Sequence, residues 1–359
     1  MKIYAETIVY LLAPSSHYTG GPESIHRFAY ILRNYFSIDA RIMYLPKLNK
    51  DPVHINFKSL NLPYVTEIQD VENNIIIVPD YYDHMKTLNN YKNIQKIIWW
   101  LSVDFFYSSY FLNVANIYQM TLFKLVSRVN KILNKIAPKY FEIFDHPRLC
   151  MKFLKNLNLN EISAINSADV NLVQSEYALN FLKNNNIRRI HKLNDYLGDD
   201  VLLEPLTISK ANIVTYNPAK GYFFTKKIID ACPEIKFVPI QNLSRLEVIK
   251  LLSTSKVYID FGNHPGRDRL PREAAVLGNC IVTSKRGSAA FFEDIAIPED
   301  CKFDDLDENI LLIKQKLRSL FDNYADERLR LSNYIGEVRA GKEIAIGQTK
   351  EVLRRSINV

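Results

Sequence analysis

Short, unbroken apolar runs alternate with segments of helical periodicity along most of the chain. "NNIIIVPD" at 73–80 and "KIIWWLSVD" at 96–104 show no polar alternation, so they predict strands covered on both faces, as in a parallel sheet. "KIYAETIVYLLAP" at 2–14 predicts a first strand, and "SSHYTGGPESIHRFAYILRNYF" follows it. There Gly20 and Gly21 predict a tight turn, a candidate ligand contact, with Pro22 and Glu23 at a helix start. "ADVNLVQSEYALNFLKNNNI" at 168–187 gives another strand and a helix opening at Ser175. Near "LEPLTISKAN" the pattern restarts, with "NIVTY", "KFVPI", "KVYID" and "NCIVTS" as later strands. The alternation predicts an α/β protein with a domain boundary near residue 205 and no internal repeat.

Within the second half, "YIDFGNHPGRDRLPREAAVLGNCIVTS" at 258–284 crowds His264, Arg267, Asp268 and Arg269 between two buried runs. The strand signal before this segment and the helix-forming "LPREAAVLG" after it make it a loop at the carboxyl end of a strand. In an open α/β sheet, strand ends and helix N-termini converge there on a ligand crevice.

At 359 residues and 47% hydrophobic composition, the chain fits two α/β domains and excludes a disordered polymer. Cys150, Cys232, Cys280 and Cys301 are scattered without a C-x-x-C pair. That argues against a zinc site or a disulfide framework and suits a reducing cytoplasm. The N-terminus reads as a strand rather than a signal peptide, and no apolar run reaches the roughly 18 residues of a membrane span. No D-x-D pair sits between strands, and Asp80, Asp83 and Asp104 lack that spacing, so no metal is expected.

The net charge of +7 is unevenly spread. No acidic residue lies between Phe105 and Phe141, while Lys124, Arg128, Lys131 and Lys135 share one helical face. Leu122, Leu125, Val126, Val129, Ile132, Leu133 and Ile136 fill the other. The helix is either a surface element packed on its own domain or, over residues 120–137, an attachment face for anionic lipid. No nucleic-acid-binding motif accompanies the charge, so nucleic acid is not an expected partner.

The N-terminal strand-loop-helix with Gly20 and Gly21, "VNLVQSEYALNFLKNNNI", "YNPAKGYFFTKKIIDA" and "PREAAVLGNCIVTS" together resemble nucleotide-sugar glycosyltransferases of the GT-B fold. The likeness is greatest to the retaining family-4 type. The resemblance implies two Rossmann-like domains facing across a cleft: an acceptor-side domain at 1–204 and a donor-binding domain at 205–337, with a helix in 338–359 crossing back. It implies that Lys220, paired with Gly221, binds the donor diphosphate and that Glu273 holds the donor ribose. The family's glutamate eight residues before that position is Pro265 here, and "NIVTYNPAK" lacks the arginine that the family places ahead of its lysine. Arg267 and Arg269 could replace that cation, because guanidinium groups hold diphosphate by paired charge-assisted bonds.

His264 is a further candidate at the donor sugar, with Gly20 and Gly21 as candidate contacts for the donor, and the His264-Pro265 pair also resembles enzymes that use CMP-activated acidic sugars. On the acceptor side, His17, Glu23 and Asp104 stand at loop starts after strands, where Glu23 or Asp104 could act as base. Each has a plainer reading: Glu23 and Glu273 as helix-start carboxylates, Lys220 as a turn lysine, the arginines as partners of Asp268. The expected function is sugar transfer from a nucleotide-activated donor to a glycan or glycolipid in bacterial surface-polysaccharide synthesis, without a cofactor. Such an enzyme would be cytoplasmic, possible as a peripheral protein of the inner membrane face. The alternatives are a nucleotide-sugar epimerase of the same architecture and a non-catalytic polyanion- or membrane-binding protein.

Overall fold

A computed structural model describes residues 2–48, 50–136, 146–204 and 209–354. The chain forms two α/β units. One comprises Met1–Asn116, Cys150–Tyr196 and Lys342–Val359; the other comprises Ile117–Leu149 and Leu197–Gly341.

The first unit is built on strands β1 (Ile8–Pro14), β2 (Asp39–Leu45), β3 (Tyr64–Val65), β4 (Ile75–Pro79), β5 (Gln95–Trp100), β6 (Val170–Val173) and β7 (Ile190–Lys192). They pair in parallel, in the order β3-β2-β1-β4-β5-β6-β7. Every residue of β4 is buried, which is why its sequence shows no alternation. Alternate residues of β1 feed two cores, Val9, Leu11 and Ala13 on one face and Tyr10 and Leu12 on the other. Val352, on helix Gly341–Arg354, joins the first of these cores.

The second unit carries β8 (Ala211–Tyr216), β9 (Lys236–Pro239), β10 (Ser255–Asp260), β11 (Cys280–Ser284) and β12 (Lys302–Phe303), parallel in the order β12-β11-β10-β8-β9. Helices Tyr222–Ala231 and Ile310–Asp322 cover one face through Phe224, Ile228, Ile313 and Leu317. Helices Arg245–Thr254 and Arg269–Val276 cover the other through Ile249, Leu252, Ala274 and Ala275.

Both strand orders reverse once, and a reversal leaves a crevice at the carboxyl ends because the flanking helices diverge to opposite faces. In the first unit it lies between β1 and β4, in the second between β8 and β10.

Two local expectations are corrected. Gly20 and Gly21 do not make a tight turn; they are the first two residues of helix Gly20–Phe36. The first strand begins at Ile8 rather than Lys2. Leu197 and Val201 pack in the second unit's core, so that unit's packing starts ahead of residue 205. Helix Ile117–Ile136 groups by packing with the second unit rather than the first.

Candidate functional site

At the reversal in the second unit, the loops after β8, β10 and β11 meet at very close range. Gly221 has φ +67°, and a Cβ there would lie 2.3 Å from the backbone nitrogen of Gly262. A Cβ on Gly262 would lie 2.4 Å from Cγ of Lys220, and one on Gly287 2.1 Å from the carbonyl oxygen of His264. Gly221 and Gly287 meet main chain with no room for a side chain, whereas at Gly262 the obstacle is the Lys220 side chain. Ser288 ties the loops further, donating from its N–H to His264 O at 2.8 Å and from Oγ to Gly266 O at 2.6 Å.

This clamp lays the Lys220 side chain across Gly262 into a charged, largely buried cluster. Its ammonium contacts the Asp268 carboxylate directly, lies 3.3 Å from Oδ2 of Asp260 and donates to Asn263 O at 3.1 Å. Asp260 is oriented by the Tyr258 hydroxyl at 2.9 Å and the Gly262 N–H at 3.0 Å. Burial alone would depress the Lys220 ammonium, but the charges of Asp260 and Asp268 outweigh it and hold its pKa well above the usual lysine range. Burial likewise pushes the Asp268 carboxyl up, and Lys220 with His264 reverses that and holds it well below the usual range.

His264 is fully buried. Its Nδ1 lies 3.1 Å from Oδ2 of Asp268 without the alignment of a hydrogen bond. Ligand atoms of Asp260, His264 and Asp268 all lie within 4.8 Å of one another, so these three could hold a cation. The positive charge now facing both carboxylates is the Lys220 ammonium, which already supplies what an ion would bring.

The other expected donor residues divide. Glu273, 2% exposed, faces Arg245, whose Nη1 donates to its Oε2 at 2.8 Å. Arg267 is buried and donates to Glu337 at 2.7 Å, while Arg269 is half-buried at the helix start. The buried Arg272 holds the loop by donating to the carbonyls of Asp268 and Arg267. Sequence reasoning missed Arg245, Asp260 and Arg272. Arg272 sits inside the "PREAA" motif, Asp260 ends a strand, and nothing local to Arg245 announces it.

In the first unit, Glu23 lies in the first turn of helix Gly20–Phe36, buried and ion-paired with Arg27. His17 Nδ1 is 2.7 Å from Ser15 O. Asp104 lies in the first turn of helix Val103–Val114 and accepts from the Tyr177 hydroxyl at 3.2 Å. Glu23 and Asp104 are thus helix residues rather than loop residues. Asp80, directly after β4, accepts from the Ser102 N–H at 2.7 Å, and burial pushes its carboxyl up to about 7. On helix Ile117–Ile136, Val126 is buried while Lys124, Leu125, Arg128 and Val129 are exposed; the side chains of Lys131 and Lys135 lie outside the described residues. Among the described residues, no helix is long and apolar enough to cross a membrane.

No family profile and no curated protein matches the sequence. Solved structures do match in fold. The chain has the GT-B fold of glycosyltransferases. Anabaena HepE in complex with UDP-glucose superposes with a TM-score of 0.56 at 11% identity, over 97% of this chain and 99% of that one. An α-glucosyltransferase in complex with UDP gives 0.53 at 10% identity, over 97% and 99%.

Proposed function

We propose that the protein is a glycosyltransferase that takes a nucleotide-activated sugar at the carboxyl ends of β8 and β10 and passes the sugar to a glycan or glycolipid. The observation that carries this reading is the pairing of a charged, fixed lysine at the reversal of strand order with Glu273 on the helix that follows. Asp268 and Glu273 are five positions apart, about 7.5 Å along a helix, on the scale of the phosphate-to-ribose span of a nucleoside diphosphate.

In this reading the diphosphate lies against Lys220 and the start of helix Arg269–Val276, where the helix N–H groups add positive potential. Charge develops on the departing phosphate as the glycosidic bond breaks, and Lys220 is held charged to meet it. Glu273 accepts from ribose hydroxyls, with His264 beside the sugar end. Asp104 and Glu23 are the acceptor-side carboxylates. Neighbours of this fold are complexed with UDP or UDP-glucose, which favours a nucleotide-sugar donor.

The exposed Leu125 and Val129 next to Lys124 and Arg128 favour docking on an anionic membrane that presents the acceptor. The test is product analysis: the protein is incubated with UDP-, GDP- and CMP-sugars, with and without bacterial lipid-linked glycan. Acceptor-dependent label transfer supports the reading, whereas an epimerised donor formed equally without acceptor overturns it.

A further inference from the structure

Arg245 opens helix Arg245–Thr254 just beyond the carboxyl end of β9, the strand beside β8. Its Nε donates to Oδ2 of Asp200 at 2.9 Å and its Nη1 to Oε2 of Glu273 at 2.8 Å. Two carboxylates therefore fix the guanidinium plane, while Nη2 has no partner among the described residues and the side chain is one-third exposed. With Nε and Nη1 taken by carboxylates, the planar guanidinium keeps Nη2 to donate in a fixed direction. An arginine offers donors only, so its partner must carry a lone pair.

We infer that Arg245 is a specificity-determining residue that reads the base of the donor through a ring carbonyl, favouring uracil or guanine over adenine. The inference rests on the donor site proposed above. If Glu273 holds the ribose, the group in contact with Glu273 on the β9 side stands at the nucleoside end, because the phosphate end is occupied by Lys220 after β8. Uracil and guanine present carbonyl oxygens to such a donor; adenine presents none and leaves an oriented N–H unmet. A site built around a hydrogen-bonding group rejects the analogue that lacks it far more strongly than an apolar pocket rejects a change of size.

Titration calorimetry of the full chain with UDP, GDP and ADP tests this in wild type, Arg245→Gln and Asp200→Asn. Wild type is expected to bind UDP or GDP at least about ten-fold tighter than ADP, and Arg245→Gln to narrow the gap to about three-fold or less. Asp200→Asn, an exposed change that keeps the Arg245–Glu273 pair, is expected to narrow it partly, so the inference stays testable should Arg245→Gln fail to fold. An unchanged preference in the folded variants, or wild type binding ADP as tightly as UDP and GDP, overturns the inference and leaves the donor site standing. Wild type binding none of the three overturns both.

Discussion

The carboxylate of Asp268 stands at the N-cap of helix Arg269–Val276 yet does not cap it; it is turned onto the ammonium of Lys220. An internal anion thus occupies the contact that a donor phosphate would make. Asp268→Asn removes that competition, and nucleoside diphosphate affinity is expected to rise about three- to ten-fold at low ionic strength, less at high salt. Calorimetry with UDP reads it; equal or weaker binding by a folded Asp268→Asn contradicts the competition.

Gly221 and Gly262 meet backbone to backbone, but their replacement by alanine has different costs. At Gly221 a Cβ meets main chain and the φ is left-handed, so Gly221→Ala is expected to destabilise by about 2–4 kcal/mol. At Gly262 the obstacle is the Lys220 side chain, so Gly262→Ala is expected to cost less stability and to weaken phosphate binding. Thermal melts paired with nucleotide titration separate the two; equal effects on both readouts count against this geometry.

Asp80 makes stability depend on pH. Its folded pKa of about 7 lies above the ordinary carboxylate value, so its contribution is full below about pH 4 and is lost as pH rises through 7. His26 and His84 act oppositely: burial lowers each to about 4, and their contribution is lost as pH falls through that value. The advantage of Asp80→Asn over wild type is therefore expected to grow between pH 5 and 8, by about 1–4 kcal/mol. A melting-temperature difference that is flat with pH contradicts it.

Lys124, Arg128, Lys131 and Lys135 together are expected to supply about 4 kcal/mol of attraction to an anionic leaflet before screening. Flotation on anionic liposomes should carry wild type at low salt, release it at high salt and leave behind a variant with glutamine at all four positions. Equal flotation of that variant reduces the helix to a solvated face.

The alternation of unbroken apolar runs with helices was legible because buried parallel strands cannot hide their composition, as in β4 and β5. Strand β2, "DARIMYL", was not, because Asp39 and Arg41 interrupt its apolar character at the sheet's amino edge. Lys220 and Glu273 were marked only by the resemblance of their segments to glycosyltransferase motifs. Arg245 and Asp260 were not, since each acquires its meaning from a partner distant in sequence, Glu273 and Lys220. The pairing of Arg267 with Glu337 was hidden for the same reason, since a loop sequence does not show a partner on a later helix.

In the proposed function, Lys220 and Glu273 hold a nucleotide-activated sugar at the carboxyl ends of the second unit's sheet. The most direct measurement is steady-state turnover of a nucleotide sugar, scored as nucleoside phosphate released, by wild type, Lys220→Ala and Glu273→Gln, each confirmed as folded by its thermal melt. Loss of the lysine is expected to lower kcat by about 10²-fold or more, since it meets charge that develops only as the bond breaks. Loss of the Glu273 carboxylate is expected to raise KM chiefly. Wild-type kinetics in both folded variants would contradict the account.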